Sequence, residues 1–398
     1  MINGWIETNI GIEFDLFAGG DVDRECFSHT KTNQCKYPIY ANALQKAGLY
    51  GYTANPKYRA DSITITGRGD IGVAMYRDTD FDAIVRLLVL TPKLNSNADS
   101  RFTTYLINSQ IIFPIESTGV PQLTVPQIRS VELTLPPLPE QRHIAAVLSD
   151  TDELITTLEK LIAKKRVIKQ GTMQELLTGK RRLPRFSGEW VNINLVANST
   201  LKARIGWQGL TTVEYLDSGY SYLITGTDFI NGKIAWETCH YVDKYRYDQD
   251  TNIQVANGDI LITKDGTIGK VAIVSGLNKR ATLNSGVFVL RPKTSTYDHK
   301  FVYYILLSQI FINFLDKLAA GSTINHLYQK DFVNFEFIVP PTIAEQTAIV
   351  SILSDMDAEI DTLTAKLNKL RNIKQGMMSE LLTGRIRLLK EDTDNGEN

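Results

Sequence analysis

The sequence predicts an α+β protein. Two β-rich heads are each followed by a long helix, and the two helices form an intramolecular antiparallel coiled coil with pseudo-twofold symmetry. Three observations carry this. The stretch from Glu140 to Leu183 returns as Glu345 to Leu388 at a constant offset, without gaps and with about half the positions identical. Both copies space their apolar residues by three and four, the pattern of a helix seam. The segments ahead of them hold short β-branched runs between Gly, Asn and Asp turns. At 398 residues the chain is also too long for one compact core. The expected division is a first head at 1–135, a helical spacer at 136–183, a second head at 184–339, a second spacer at 340–388 and a polar tail at 389–398.

In the first head, Ser62–Thr66 and Ile84–Leu90 read as strands and Phe102–Ser109 as a helix. The second head offers Ile260–Ile262 and Val287–Leu290 as strands and Lys300–Leu318 as one helical run. The heads correspond weakly. Gly69-Asp70-Ile71-Gly72 parallels Gly266-Thr267-Ile268-Gly269, and Val89-Leu90-Thr91-Pro92-Lys93 parallels Val289-Leu290-Arg291-Pro292-Lys293. The spacers hold identity while the heads drift, as different tasks on one chassis would produce.

The second spacer shows its seam most clearly, at Leu353, Met356, Ile360, Leu363, Leu367 and Leu370. The first supplies Leu148, Ile155, Leu158 and Ile162, with Thr151 and Lys165 at two weaker positions. Pro137, Pro139 and Pro341 are expected just before the helices, and Gly179 and Gly384 as their C-cap glycines. Counted from Glu140 to Thr178, each helix is roughly 58 Å long at ~1.5 Å per residue. Pairing inside the chain is the simplest burial of two such narrow stripes. Each helix packing on its own head, or the seam joining two chains, are the alternatives.

Basic residues gather near glycines at corresponding places: Arg68-Gly69, preceded by Lys57 and Arg59, and Lys264-Asp265-Gly266-Thr267, followed by Lys270. Glycine lets a ligand approach the backbone, and amide donors with Lys or Arg suit phosphate oxygens. A tight β-turn carrying solvated charges is the competing reading. Asn42, Gln45, Asn284, Asn325 and His326 are polar loop residues able to reach base edges, as Asn and Gln do with adenine. Tyr37, Tyr40, Tyr50 and Tyr52 read as sheet packing before stacking platforms.

Composition excludes more than it selects. A net charge of −1 argues neither for nor against a local basic patch. The three cysteines, Cys26, Cys35 and Cys239, form no disulfide framework. Cys26, His29 and Cys35 match no zinc spacing, so no metal is expected. No apolar run approaches the ~18–20 residues of a membrane span, and the start resembles no signal peptide, so the expected compartment is the cytoplasm. Asp15-Leu16-Phe17-Ala18-Gly19-Gly20 looks like the opening of a cytosine methyltransferase, but no Pro-Cys nucleophile follows. Asn55-Pro56-Lys57-Tyr58 lacks the second proline of an amino-methyltransferase motif, and no Walker loop is present. No catalytic residues are expected.

Two variable heads, each followed by a helix ending in Glu-Leu-Leu-Thr-Gly (175–179 and 380–384), resemble type I restriction–modification specificity (S) subunits over essentially the whole chain. Pro-Pro-Leu-Pro-Glu-Gln at 136–141 and Lys-Gln-Gly at 169–171 and 374–376 strengthen the likeness, as do Phe17-Ala18-Gly19-Gly20-Asp21 and Gly48-Leu49-Tyr50-Gly51-Tyr52 in the first head. The resemblance implies that each head is a target-recognition domain for one half of a split site in double-stranded DNA, with the coiled coil setting the gap. It implies two methyltransferase (M) subunits and two restriction/translocase (R) subunits as partners. S-adenosylmethionine, ATP and magnesium would belong to those partners, and no cofactor to this chain. A stand-alone bipartite DNA-binding or scaffold protein is the runner-up, and a fused methyltransferase or nuclease the third reading.

Overall fold

The computed structural model describes residues 4–114, 121–319 and 326–388. The polar tail at 389–398 and Asn325 lie outside them. The chain forms two compact units, 1–159 with 365–398, and 160–364, so that each unit takes a share of both helical spacers.

In the first unit, strands β1 (Ile6–Asn9), β2 (Phe14–Ala18), β3 (Phe27–Ser28), β4 (Tyr37–Tyr40) and β5 (Leu49–Thr53) are followed by β6 (Ser62–Ile65), β7 (Ala74–Arg77), β8 (Asp82–Ala83) and β9 (Leu88–Pro92). Helix α1 (Ser100–Gln110) and strand β10 (Glu132–Leu135) precede the long helix α2 (Leu138–Leu176). One sheet has the order β2-β9-β6-β7, another β3-β5-β4-β8, and β1 pairs with β10. The expected strand at Ile84–Leu90 begins only at Leu88. Val85 and Arg86 adopt left-handed backbone, at φ 54° and 57°, because their N–H groups turn to the carbonyls of Gly20 and Gly19. Gly19 is required there, since a Cβ would stand 2.7 Å from the Ala83 backbone.

The second unit repeats this plan. Strands β11 (Val191–Asn194), β12 (Ser199–Ala203), β13 (Ser221–Ile224), β14 (Phe229–Ile230), β15 (Lys233–Ile234) and β16 (His240–Val242) come first. Then come β17 (Ile260–Thr263), β18 (Val271–Ile273), β19 (Ala281–Leu283) and β20 (Val287–Pro292). Helices α3 (His299–Leu307) and α4 (Gln309–Ala319), strand β21 (Glu336–Val339) and the long helix α5 (Ile343–Leu381) complete the order. The main sheet, β12-β20-β17-β18-β15-β14, opens with the counterparts of β2, β9, β6 and β7, and β11 pairs with β21 as β1 does with β10. The helical run expected at Lys300–Leu318 is two helices bent by 56°. Ser308 causes the break: its backbone is extended, its Oγ donates to the Ile305 carbonyl at 2.7 Å and accepts from the Ile310 N–H at 3.2 Å.

Both long helices span 39 residues. Pro139 lies inside the first turn of α2 rather than before it, a place where the missing N–H breaks no helical bond. Gly179 and Gly384 are left-handed, at φ 70° and 68°, and the Arg181 and Ile386 N–H groups fold back to the Glu175 and Glu380 carbonyls. In the first unit the core joins Ile144, Ala145 and Leu148 of α2 to Leu381 and Leu382, and in the second it joins Ile349, Val350 and Leu353 of α5 to Met173, Leu176 and Leu177. The start of each helix thus lies against the end of the other, antiparallel. Of the other expected seam residues, Leu158, Ile162, Ile360 and Leu367 are buried, while Ile155, Met356, Leu363 and Leu370 are half-buried. Lys165, where the seam lacks an apolar residue, bonds Glu359 at 2.6 Å. Among the described residues no single helix is long and apolar enough to cross a membrane.

Candidate nucleic-acid interface

Both heads present the same loop at the tip of the same hairpin. In the first, β6 and β7 are joined through 66–73, where the Thr66 hydroxyl donates to the Asp70 carbonyl and accepts from the Val73 N–H at 3.0 Å. The Gly72 N–H donates to the Thr66 carbonyl at 2.8 Å. In the second, between β17 and β18, Thr263 donates to the Thr267 carbonyl at 2.5 Å and accepts from the Lys270 N–H at 2.9 Å, and the Gly269 N–H reaches the Thr263 carbonyl at 2.9 Å. Gly69 and Gly72 (φ 69° and 88°) match Gly266 and Gly269 (67° and 80°). A following segment closes each loop from outside: the Leu123 N–H donates to the Gly67 carbonyl, and the Leu327 N–H to that of Lys264. The weak sequence correspondence is therefore one rigid turn used twice.

What the turns carry differs. In the first head Arg68, Gly69 and Asp70 are exposed at the tip, with the Arg68 guanidinium donating to Gln122 Oε1 at 3.1 Å. Asn42 is brought to the same place, but as a brace. Its Oδ1 accepts from the Gly67 N–H at 2.7 Å and its Nδ2 donates to the Arg68 carbonyl at 2.9 Å. Lys57 and Arg59 are not part of this cluster: Lys57 pairs with Asp82 at 3.0 Å and Arg59 donates to the Pro92 carbonyl.

In the second head Lys264, Gly266, Thr267, Lys270, Asn284 and His326 converge at one end of the sheet. The Lys264 N–H donates to the Gly286 carbonyl at 2.9 Å, and its ammonium lies 5.4 Å from the Phe288 ring centre. His326 pairs with Asp265 and its ring stands 4.4 Å from that of Tyr328. Asn284 donates to the Tyr215 hydroxyl at 2.7 Å. Arg68, Lys264 and Lys270 have no carboxylate in ion-pair reach among the described residues. Such cations beside open glycine backbone can meet phosphates, and exposed Asp70 could accept from a cytosine amine. Among the described residues no group of three His, Cys, Asp or Glu side chains is placed to hold a metal.

Sequence reasoning missed two sets of polar residues. Arg77 and Arg204 lie beneath the heads, 5% and 2% exposed. Burial pushes both guanidinium pKa values down; Arg77 bonds Thr64 Oγ1 and the Ala47 carbonyl, and Arg204 the Leu283 carbonyl. The other set clamps the helices. Glu140, 1% exposed, is held by Arg387 through bonds of 2.7 Å; Glu345, 1% exposed, is held by Arg182 at 2.8 and 2.9 Å. Tyr105 donates to Asp152 at 2.8 Å, and Lys374 pairs with the same carboxylate at 2.6 Å. Tyr304, Asp357 and Lys169 repeat this at 2.8 and 2.5 Å. Gln141 and Gln346 accept from the Asp99 and Asp298 N–H groups and donate to the Pro136 and Pro340 carbonyls. For the clamps, the available signal was polar identity retained in both repeats.

Residues 17–170 and 212–372 match the family described as type I restriction modification DNA specificity domain. The specificity subunit of the type I restriction enzyme MjaVIII of Methanocaldococcus jannaschii is 27% identical over 287 residues, 69% of this chain and 66% of that protein. That of EcoKI from Escherichia coli K12 is 24% identical over 200 residues, 50% of this chain and 42% of that protein. The crystal structure of the S subunit of a type I system from M. genitalium superposes with a TM-score of 0.67 at 17% identity, covering 95% of this chain and 96% of that one. A chain from a study of complex assembly in a type I system gives 0.53 at 18% identity, covering 96% and 99%. With its repeated heads, clamped helices and this match over most of its length, the chain belongs to the type I restriction–modification DNA specificity family.

Proposed function

We propose that this chain, a DNA-specificity subunit of a type I restriction–modification enzyme, reads a split duplex site with one head per half, the paired helices setting the unread gap. One observation carries the reading: the same braced turn crowns the same hairpin in both heads, yet its side chains differ, while the helix clamps are alike. A common frame with unlike tips is what two different half-sites require. Arg68 and Gly69 in the first head, and Lys264, Gly266, Thr267, Lys270, Asn284 and His326 in the second, are the proposed contacts. Asn42 would act by holding its loop. The chain would carry no catalytic group, assembling in the cytoplasm with two methyltransferase and two restriction/translocase subunits. Those partners would supply S-adenosylmethionine, ATP and magnesium chemistry.

Exchanging residues 190–339 for the head of another family member tests the reading, with methylated sites mapped in cells that also express the methyltransferase. One half-site should change and the other persist; a change in both would overturn it. Inserting one heptad after Ile155 and one after Ile360 keeps every clamp in register, because the lengthened middles re-pair antiparallel. The insertion adds roughly 10 Å of helix, so the gap should grow by about three base pairs while both halves stay the same.

A further inference from the structure

The first head holds a second basic surface, outside the hairpin tip. An open groove of about 550 Å³ is lined by Lys31, Lys36 and Lys46 and by Tyr37, Tyr40 and Tyr52. All three lysines are exposed, and none has a carboxylate in ion-pair reach among the described residues. The groove is built, not incidental. Lys46 and Ala47 both stand in left-handed backbone, at φ 49° and 53°, a conformation that non-glycine residues avoid. The buried Arg77 holds them there by donating to the Ala47 carbonyl at 3.0 Å. The same guanidinium lies 3.5 Å from the Tyr40 ring centre, so it stiffens the groove floor as well. Asp80, beside the lining residue Thr79, is occupied by the Ala60 N–H. The segment leading to Lys46 starts at Asn42, the brace of the hairpin loop, so groove and loop are structurally continuous.

We infer that this groove binds the sugar–phosphate backbone of DNA beside the first half-site, its lysines meeting phosphates and its tyrosine rings packing on the sugars. Lysines without a carboxylate partner around half-buried aromatic rings suit a polyanion with flat apolar faces. The inference rests on the DNA-reading function proposed above and adds a contact that carries no sequence information.

The test uses the full chain assembled with methyltransferase subunits, and measures affinity for cognate and scrambled duplexes across a potassium chloride titration. Each phosphate contact contributes about 0.9 to the slope of log K against log salt. The combined Lys31→Gln, Lys36→Gln and Lys46→Gln variant should therefore lose about 2 to 3 from that slope. Affinity for both duplexes should fall by the same factor, and the methylated sequence should be unchanged. Lys36→Glu alone should lower affinity in the same uniform way. An unaltered slope would overturn the inference. Weakened capture of the methyltransferase subunits with DNA binding intact would also overturn it, marking the groove as a protein contact. A parent complex unable to tell cognate from scrambled DNA would instead remove the DNA-reading function on which the inference stands.

Discussion

The helical layer and the loop ends of this molecule treat repetition differently. In the helices the repeat is kept atom by atom: Glu140 with Arg387 and Glu345 with Arg182, Tyr105–Asp152–Lys374 and Tyr304–Asp357–Lys169. At the loop ends only the backbone and the threonine that braces it are kept. Thr66 and Thr263 make the same bonds, but the Gly67 N–H of the first loop is held by the Asn42 side chain and the matching Lys264 N–H of the second by the Gly286 carbonyl. A buried carboxylate needs its cation, so drift there is costly. A solvated tip needs only a backbone that can turn, so drift there is free to alter what is read.

Removing one clamp cation should break that contrast most sharply. Arg387→Ala strands Glu140, which is 1% exposed, and the loss should be roughly 3–5 kcal/mol in chemical denaturation. Adding Glu140→Gln should recover part of it, because the buried charge goes too. No recovery would mean that the clamp acts through packing alone. Next in size, Leu353→Ala opens a cavity at a fully buried position and should cost about 3 kcal/mol. Leu363→Ala, at a half-buried position, should cost clearly less. Equal losses would show that the seam, and not the core at the helix start, dominates.

These sizes explain what could be read beforehand. The helices were legible because their apolar spacing is local and appears twice, and the two paired heads followed from the repeat. The break at Ser308 was not, since an isolated serine inside an apolar run signals neither cap nor continuation until its hydroxyl is seen bonding both sides. The turn at Val85–Arg86 was hidden for a different reason: the partners that hold it, Gly19 and Gly20, lie far off in sequence. At the candidate site the glycine-bracketed loops were visible as a motif. That Asn42 supports a loop while Lys57 is paired with Asp82 depends on contacts across the head that no local pattern encodes.

The tyrosines of the clamps give a smaller, pH-dependent test. Burial pushes the Tyr105 phenol up to about 12, with Asp152 adding to the rise, and raises Tyr304 further in the same direction. A phenol whose folded pKa exceeds its unfolded value near 10 stabilises fully below about pH 10. That contribution is then lost as pH climbs through the folded value. Melting temperature should therefore fall between about pH 10 and 12, and the Tyr105→Phe, Tyr304→Phe variant should show a shallower fall from a lower plateau. An unchanged alkaline slope would remove both phenols from the account.

Asn42→Ala should have the smallest effect on stability and the most selective one on function. The substitution removes two hydrogen bonds at a half-exposed position, where water can replace part of what is lost, so about 1 kcal/mol is expected. The loop it braces carries Arg68 and Gly69, and loosening that loop leaves the bracing of Lys264 untouched. Discrimination should therefore relax at the first half-site alone, read as methylation of sites with one mismatched base there, while the second half stays strict. Asn42→Asp keeps the acceptor for the Gly67 N–H but not the donor to the Arg68 carbonyl, and should fall between parent and alanine. If relaxation appeared equally at both halves, the two turns would not be independent readers, and their shared backbone would reflect folding rather than recognition.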